Sequence, residues 1–242
     1  MIDKDIGFNR NVKLDWLNAV ASFVIETSDS AEIRQRLDTV LSHDRTGVEA
    51  KRKTIDILIN IWLKNGEQHP GLYQFATECF KNTVIPTDRL WLHYGLTILY
   101  YKFFRDCANV MGKMSRYGEL IATSNLKKAL IAQRGNLGSL ERSVERIVSS
   151  LRDWEVLIDS DTKYAYIAKY REYDSSNIDL QSWMLKCALT AKGVEQLPYE
   201  DLIRLPELFP FVINVSVDAL RKHQWFNVYR QGAGLIMVGI DE

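Results

Sequence analysis

The sequence predicts a mainly α-helical protein, a multi-helix body with one embedded helix–turn–helix–hairpin unit. Three observations predict it. Apolar residues recur at i, i+3, i+4 in most stretches between turn signals. The run 90–114 is apolar on nearly every side, as a central helix is. Between residues 123 and 170 the order is helix, glycine-bounded turn, helix and short alternating hairpin.

The bulk numbers agree. A chain of 242 residues allows one large domain or two small ones, and 46% apolar with 26% charged residues can bury a sizeable core. The formal net charge is zero, which excludes a polybasic protein; any nucleic-acid affinity must come from a local patch. Three regions are expected: a helical region over 1–111, the helix–turn–helix–hairpin unit over 112–172, and a helical region over 173–242 packing on the body.

From the N-terminus, Val12, Trp16, Ala19, Val20, Phe23 and Val24 share one helical face. A second helix over 31–41 turns Ile33, Leu37, Val40 and Leu41 inward, with Ser28 or Ser30 as its cap. A loop over 42–47 leads to a helix over 48–63, buried through Ile55, Leu58, Ile59 and Trp62. Its first turns hold Lys51, Arg52 and Lys53, which run against the helix dipole. A solvated helix start is the favoured reading there, and a ligand or nucleic-acid contact the minor one. Asn65-Gly66 ends this helix, and a short one over 72–81 follows. The run 90–114 is read as one core helix. It contains His93, a residue expected to be hydrogen-bonded in the core or at an interface, because no second His, Cys or carboxylate stands at metal-binding spacing.

The next unit is expected to comprise a helix over 124–134, the turn Gly135-Asn136-Leu137-Gly138, a helix over 139–154 and strands over 155–158 and 163–167. Both turn glycines supply backbone freedom, and Ser139 is the expected N-cap. Val144, Ile147, Val148 and Leu151 form the buried stripe of the second helix, leaving Arg142, Arg146, Ser149 and Ser150 off it and facing out. After a polar connector over 170–177 comes an amphipathic helix over 178–191, closed by Gly193. Residues 196–211 hold three of the five prolines and read as a loop with one helical turn near 199–204. The tail over 212–240 is open between a strand alone and a helix followed by a strand.

The unit over 123–170 resembles the winged helix-turn-helix superfamily in the order and spacing of its parts. The resemblance implies that the second helix enters a DNA major groove and that the hairpin touches backbone or minor groove. It would place Arg142, Ser143 and Arg146 toward base edges or phosphates and Lys163 on phosphate. Lys127, Lys128 and Arg134 would add phosphate contacts, with Ser139 or Ser143 reaching bases. Local charge agrees: residues 113–152 hold eight Lys or Arg (113, 116, 127, 128, 134, 142, 146, 152) against three Glu (119, 141, 145), an excess of five. The competing reading is a solvated helix face with Glu141 or Glu145 paired to neighbouring arginines.

A second likeness is architectural. A helical N-terminal half, then Arg89-Leu90-Trp91-Leu92-His93-Tyr94-Gly95 with Tyr101-Lys102-Phe103-Phe104, then Asp153-Trp154-Glu155-Val156-Leu157, is similar to DNA-binding accessory proteins of bacterial phage-defence operons of the BREX kind. It implies a cytoplasmic subunit that binds double-stranded DNA with little sequence preference and works with other proteins of the same operon or complex. A homodimer is left open.

No P-loop, HExxH or GxSxG occurs, and Gly232-Ala233-Gly234 lacks the third glycine of a dinucleotide fingerprint. Asp159-Ser160-Asp161 lacks the glycine and glutamate of a calcium loop. The expectation is a protein that is not an enzyme and has no cofactor and no metal. Cys79, Cys107 and Cys187 form no CxxC pair and fit a reducing, intracellular setting. Neither a secretory h-region nor a membrane-spanning run is seen, so no membrane partner is expected. The alternative function is a protein–protein scaffold built on the winged fold and on aromatic helix faces, motivated by overall neutrality, six Trp and eleven Tyr.

Overall fold

The structure is a computed structural model that describes residues 6–44, 47–116, 118, 120–135, 137–169, 175–232 and 234–240. It is mainly helical, with two small three-stranded antiparallel sheets. Asn136 of the expected turn, residues 170–174 of the expected connector and Ala233 lie outside the described residues.

Helices α1 (Leu14–Glu26), α2 (Ser30–Ser42) and α3 (Val48–Ile59) form the N-terminal layer. Asp29, not a serine, caps α2, its carboxylate accepting from the amides of Ala31 at 2.8 Å and Glu32 at 3.4 Å. The basic cluster on α3 is neutralised. Lys51 pairs with Asp38 at 2.8 Å, Arg52 with Glu49 at 3.0 Å, and Lys53 with Glu49 at 3.0 Å. These pairs favour the solvated reading of that helix start.

The helix expected to run to residue 63 loosens into a π turn at Asn60–Lys64 and ends in a short α4 (Asn65–Gln68). Asn65 is buried there and its amide donates to the carbonyls of Ile61 at 2.7 Å and Leu96 at 2.8 Å. Helix α5 (Pro70–Asn82) follows, with proline at its first position, where the missing N–H costs nothing.

The run 90–114 is not one helix. It divides into α6 (Pro86–Tyr100) and α7 (Lys102–Arg116), because Tyr101 adopts extended backbone at φ −99°, ψ 96°. Tyr101 stacks edge-on against Phe8 at 5.4 Å and accepts from the Asn60 amide at 3.0 Å. The Arg105 guanidinium takes the free carbonyl of Ile98 at 2.8 Å, closing the end of α6. Helix α6 is the centre of the core and is buried from Leu90 to Leu99. It packs closely on α10 (Ile178–Lys192) at Gly95, where a Cβ would stand 2.4 Å from Trp183.

His93 lies fully buried on α6. Its Nδ1 is 3.1 Å from Trp62 Nε1, and an indole can only donate, so Nδ1 accepts. Nε2 therefore carries the proton and donates to Asn18 Oδ1 at 3.0 Å. Burial, with a smaller push from Arg89, lowers the His93 pKa to about 3. The unfolded chain takes up this proton below about pH 6.5. Stability from His93 is thus complete above about pH 6.5 and is lost as the pH falls toward about 3, because the unfolded state binds more protons across that window. The loss approaches about 1.4 kcal/mol per pH unit inside the window. Urea unfolding at pH 7 and pH 5 should show it, and His93→Gln should remove that part of the slope; an equal slope in both proteins would contradict it.

Helices α8 (Thr123–Arg134) and α9 (Leu140–Asp153) follow strand β1 (Ile121–Ala122), and β2 (Leu157–Asp159) and β3 (Ala165–Ala168) complete the first sheet, in the order β1-β3-β2. Gly135 takes φ +81°, as the turn requires, whereas Gly138 needs no left-handed backbone. Ser139 sits at the cap position of α9 but its hydroxyl makes no capping bond, and its backbone is turned to φ −103°, ψ −7°. The expected N-cap is thereby corrected. The strands begin two residues later than expected. Glu155 and Val156 close α9 with two bonds, Val156 N–H to Leu151 O and Glu155 N–H to Arg152 O, and Glu155 occupies the left-handed position at φ 59°.

The C-terminal region, expected to be helical, carries the second sheet. Strands β4 (Gln196–Pro198), β5 (Phe226–Gln231) and β6 (Leu235–Ile240) pair in the order β4-β6-β5, around the short helices α11 (Tyr199–Leu202) and α12 (Val217–Lys222). A 3-10 turn at Pro206–Leu208 lies against α7, so close that a Cβ on Gly112 would stand 2.0 Å from the Pro206 carbonyl. Glu207 is buried there. Burial alone would raise its pKa, but hydrogen bonds from Lys192 at 2.9 Å and Asn109 at 2.8 Å hold it below the usual carboxylate value.

Candidate functional site

The arrangement of α8, α9 and the β2–β3 hairpin leaves a groove of about 950 Å³ between them. Its frame is tied by hydrogen bonds at both ends. The Tyr164 carbonyl in the hairpin turn accepts from Thr123 N–H at the start of α8 at 3.0 Å. At the other end α9 is bolted to the N-terminal layer. Ser150 Oγ accepts from Val12 N–H at 2.9 Å, the Asp153 carboxylate accepts from Leu14 N–H at 2.7 Å, and Trp154 Nε1 donates to the Val12 carbonyl at 2.9 Å. The first N–H of α1, that of Leu14, is thus satisfied by a side chain of α9 rather than by a local cap.

The apolar stripe of α9 is buried as its period requires, with Val144, Ile147 and Leu151 fully covered. Its exposed arc has two edges. Arg142 and Arg146 form one. Glu141, Glu145 and Arg152 form the other, which lines the groove with Lys127, Lys128 and Lys163.

The sequence-derived residues fall into three groups. Lys128, Ser139, Arg142, Arg146 and Lys163 are exposed. Lys127 is already engaged: its Nζ is 2.6 Å from Glu145 and 3.4 Å from Glu141, and the Glu145 bond raises its pKa. The two glutamates therefore pair across helices with Lys127, not along α9 with the neighbouring arginines. Arg134 and Ser143 are interior, which corrects their assignment to a contact surface. Arg134 is 6% exposed and grips Asp106 of α7 at 2.7 and 2.5 Å, because the end of α8 packs onto that helix. Ser143 is 1% exposed, because it follows the buried side of α9. Ser150, expected to face out, is buried as well, because the N-terminal segment at Asn11 and Val12 lies on its hydroxyl.

Four of the exposed cations, Lys128, Arg142, Arg146 and Lys163, have no carboxylate within ion-pair distance among the described residues; Lys163 lies 5.0 Å from the Tyr164 ring. Arg152 lines the groove but is held by Asp159 at 2.7 Å and lies over Tyr166. Sequence reading missed Arg152, Tyr164 and the hydroxyls of Thr123 and Ser124 as lining groups. The signal available was the hairpin register, which puts Thr123 beside Tyr164 only once β1 is recognised.

The three cysteines are unpaired, and burial raises the pKa of all three thiols, most at Cys107 and Cys187, so none is poised as a thiolate. Among the described residues no group of three His, Cys, Asp or Glu could hold a metal ion, and no helix is long and apolar enough to cross a membrane. No protein-family model, curated protein or solved structure matches the chain.

Proposed function

We propose that this is a non-catalytic DNA-binding protein, an accessory or regulatory subunit, whose contact surface is a winged helix-turn-helix formed by α7, β1, α8, α9 and the β2–β3 hairpin. The sheet order β1-β3-β2, with a short strand ahead of the helix pair, supports this reading beside the helix–helix–hairpin order. The observation that carries it is the set of cations without intramolecular acids, Lys128 on α8, Arg142 and Arg146 on α9 and Lys163 in the hairpin turn. A folded surface that leaves four cations uncompensated on one unit attracts a polyanion and gains from counterion release when phosphates replace them. Base reading is weakly provided for, since Ser143 is buried and the two glutamates are occupied, so binding is expected to depend on backbone more than on sequence.

Fluorescence anisotropy with a duplex of about 20 base pairs tests the assignment. The protein should bind it, and Arg142→Ala with Arg146→Ala should weaken binding. Unchanged affinity in that variant would remove α9 from the interface. A protein–protein reading has one specific observation of its own: Ile158 and Ile167 are cross-strand partners on the hairpin, 39% and 45% exposed, an apolar pair suited to a protein surface.

A further inference from the structure

The groove holds one group that a phosphate contact does not use. Tyr164 is 66% exposed at the hairpin turn and lines the groove. Its backbone sits at φ 61°, an uncommon conformation for a bulky residue, and its carbonyl is tied to the start of α8. The ring is therefore presented on a fixed base instead of on a loose loop. Lys163 stands beside it, and Lys128 faces the same groove from α8.

The opposite wall decides what can enter. On its groove side α9 offers Glu141 and Glu145, two carboxylates shared by the single charge of Lys127, and the negative charge left over disfavours the close approach of the two phosphate rows of a duplex. A single strand brings one row only. Its phosphates can follow Lys128 and Lys163 while its bases, unstacked, seek an aromatic face. At about 950 Å³ the groove is also at the upper end of the roughly 300–1,000 Å³ that enclose organic ligands.

We propose that the groove between α8, α9 and the hairpin holds unpaired nucleotides, with a base stacked on Tyr164, so that the preferred ligand is a duplex with a single-stranded end. This rests on the DNA-binding reading and narrows it. Cationic tracking plus aromatic stacking is the general chemistry of sequence-tolerant single-strand binding, and one stacked base is worth roughly tenfold in affinity.

Three labelled probes test it: a blunt duplex, the same duplex with a short thymidine overhang, and the single strand alone. They are titrated with the full chain and with Tyr164→Asn. Asparagine tolerates the left-handed backbone, so the turn is kept, and thermal melting checks the fold. The overhang should tighten binding roughly tenfold over the blunt duplex, and in Tyr164→Asn that ratio should fall to about one. Equal affinity for blunt and overhang probes in the unaltered protein overturns the proposal while leaving duplex binding intact. So does a ratio that survives Tyr164→Asn. If no probe binds at low salt, the DNA-binding reading itself falls.

Discussion

Trp154→Ala is expected to destabilise the protein by about 3–5 kcal/mol. Trp154 closes α9, is 1% exposed and packs its ring against Phe104 of α7 at 5.7 Å. Truncation leaves a cavity the size of an indole in a core that relaxes only partly. It also removes the donor to the Val12 carbonyl, leaving that acceptor buried without this partner. Both effects loosen the joint between the N-terminal segment and the far end of α9. Trp154→Phe keeps most of the ring volume but not the hydrogen bond, so it should cost clearly less. Urea unfolding reads both. A cost under about 1 kcal/mol for the alanine variant would mean that the end of α9 is not docked as described.

The second large effect falls on affinity. Arg142→Ala with Arg146→Ala removes two guanidinium groups from one edge of α9. Both are exposed and neither has a carboxylate within ion-pair distance among the described residues, so their loss should leave stability nearly unchanged. If each contacts a phosphate, duplex affinity should fall by roughly tenfold per contact, and the slope of log K against log salt should shrink by about two. The other edge predicts the opposite sign. Glu141→Gln with Glu145→Gln releases Lys127 and removes two negative charges from the groove, so duplex binding should tighten. Titrations of both variants at one fixed salt concentration compare the two edges directly. A uniform loss in both would point to general disturbance of the helix instead of to its charge.

Helical periodicity carried most of the fold. The stripe named for α9 is buried throughout, that of α1 through Val12, Trp16, Val20 and Val24 and that of α2 through Ile33, Leu37 and Leu41, with Ala19, Phe23 and Val40 half-buried at the margins, because an amphipathic stripe has one place to go in a single connected core. What failed to show in the sequence depended on distant contacts. The break at Tyr101 has no proline or glycine to announce it; it is made by Phe8, Asn60 and Arg105, which come from other elements or from the next turn. Sheet β4-β6-β5 joins residues some forty positions apart, and Gln196–Pro198 is too short to alternate visibly. At the candidate site the same limit applies. Arg142, Arg146, Lys128 and Lys163 are exposed, as a charged residue off an apolar stripe usually is. Arg134 was not distinguishable from them, because only the presence of Asp106 one helix away decides that it is an internal ion pair. Lys127 likewise reads as free until α8 and α9 are placed side by side.

The salt dependence of duplex binding is the decisive measurement. The full chain should bind a duplex of about 20 base pairs at micromolar concentration or better in low salt, and log K should fall linearly with log salt at a slope of about three to four, one unit for each cation left uncompensated on α8, α9 and the hairpin. No binding at low salt, or binding that salt leaves unchanged, would contradict this and leave α8, α9 and the hairpin as a protein-contact surface.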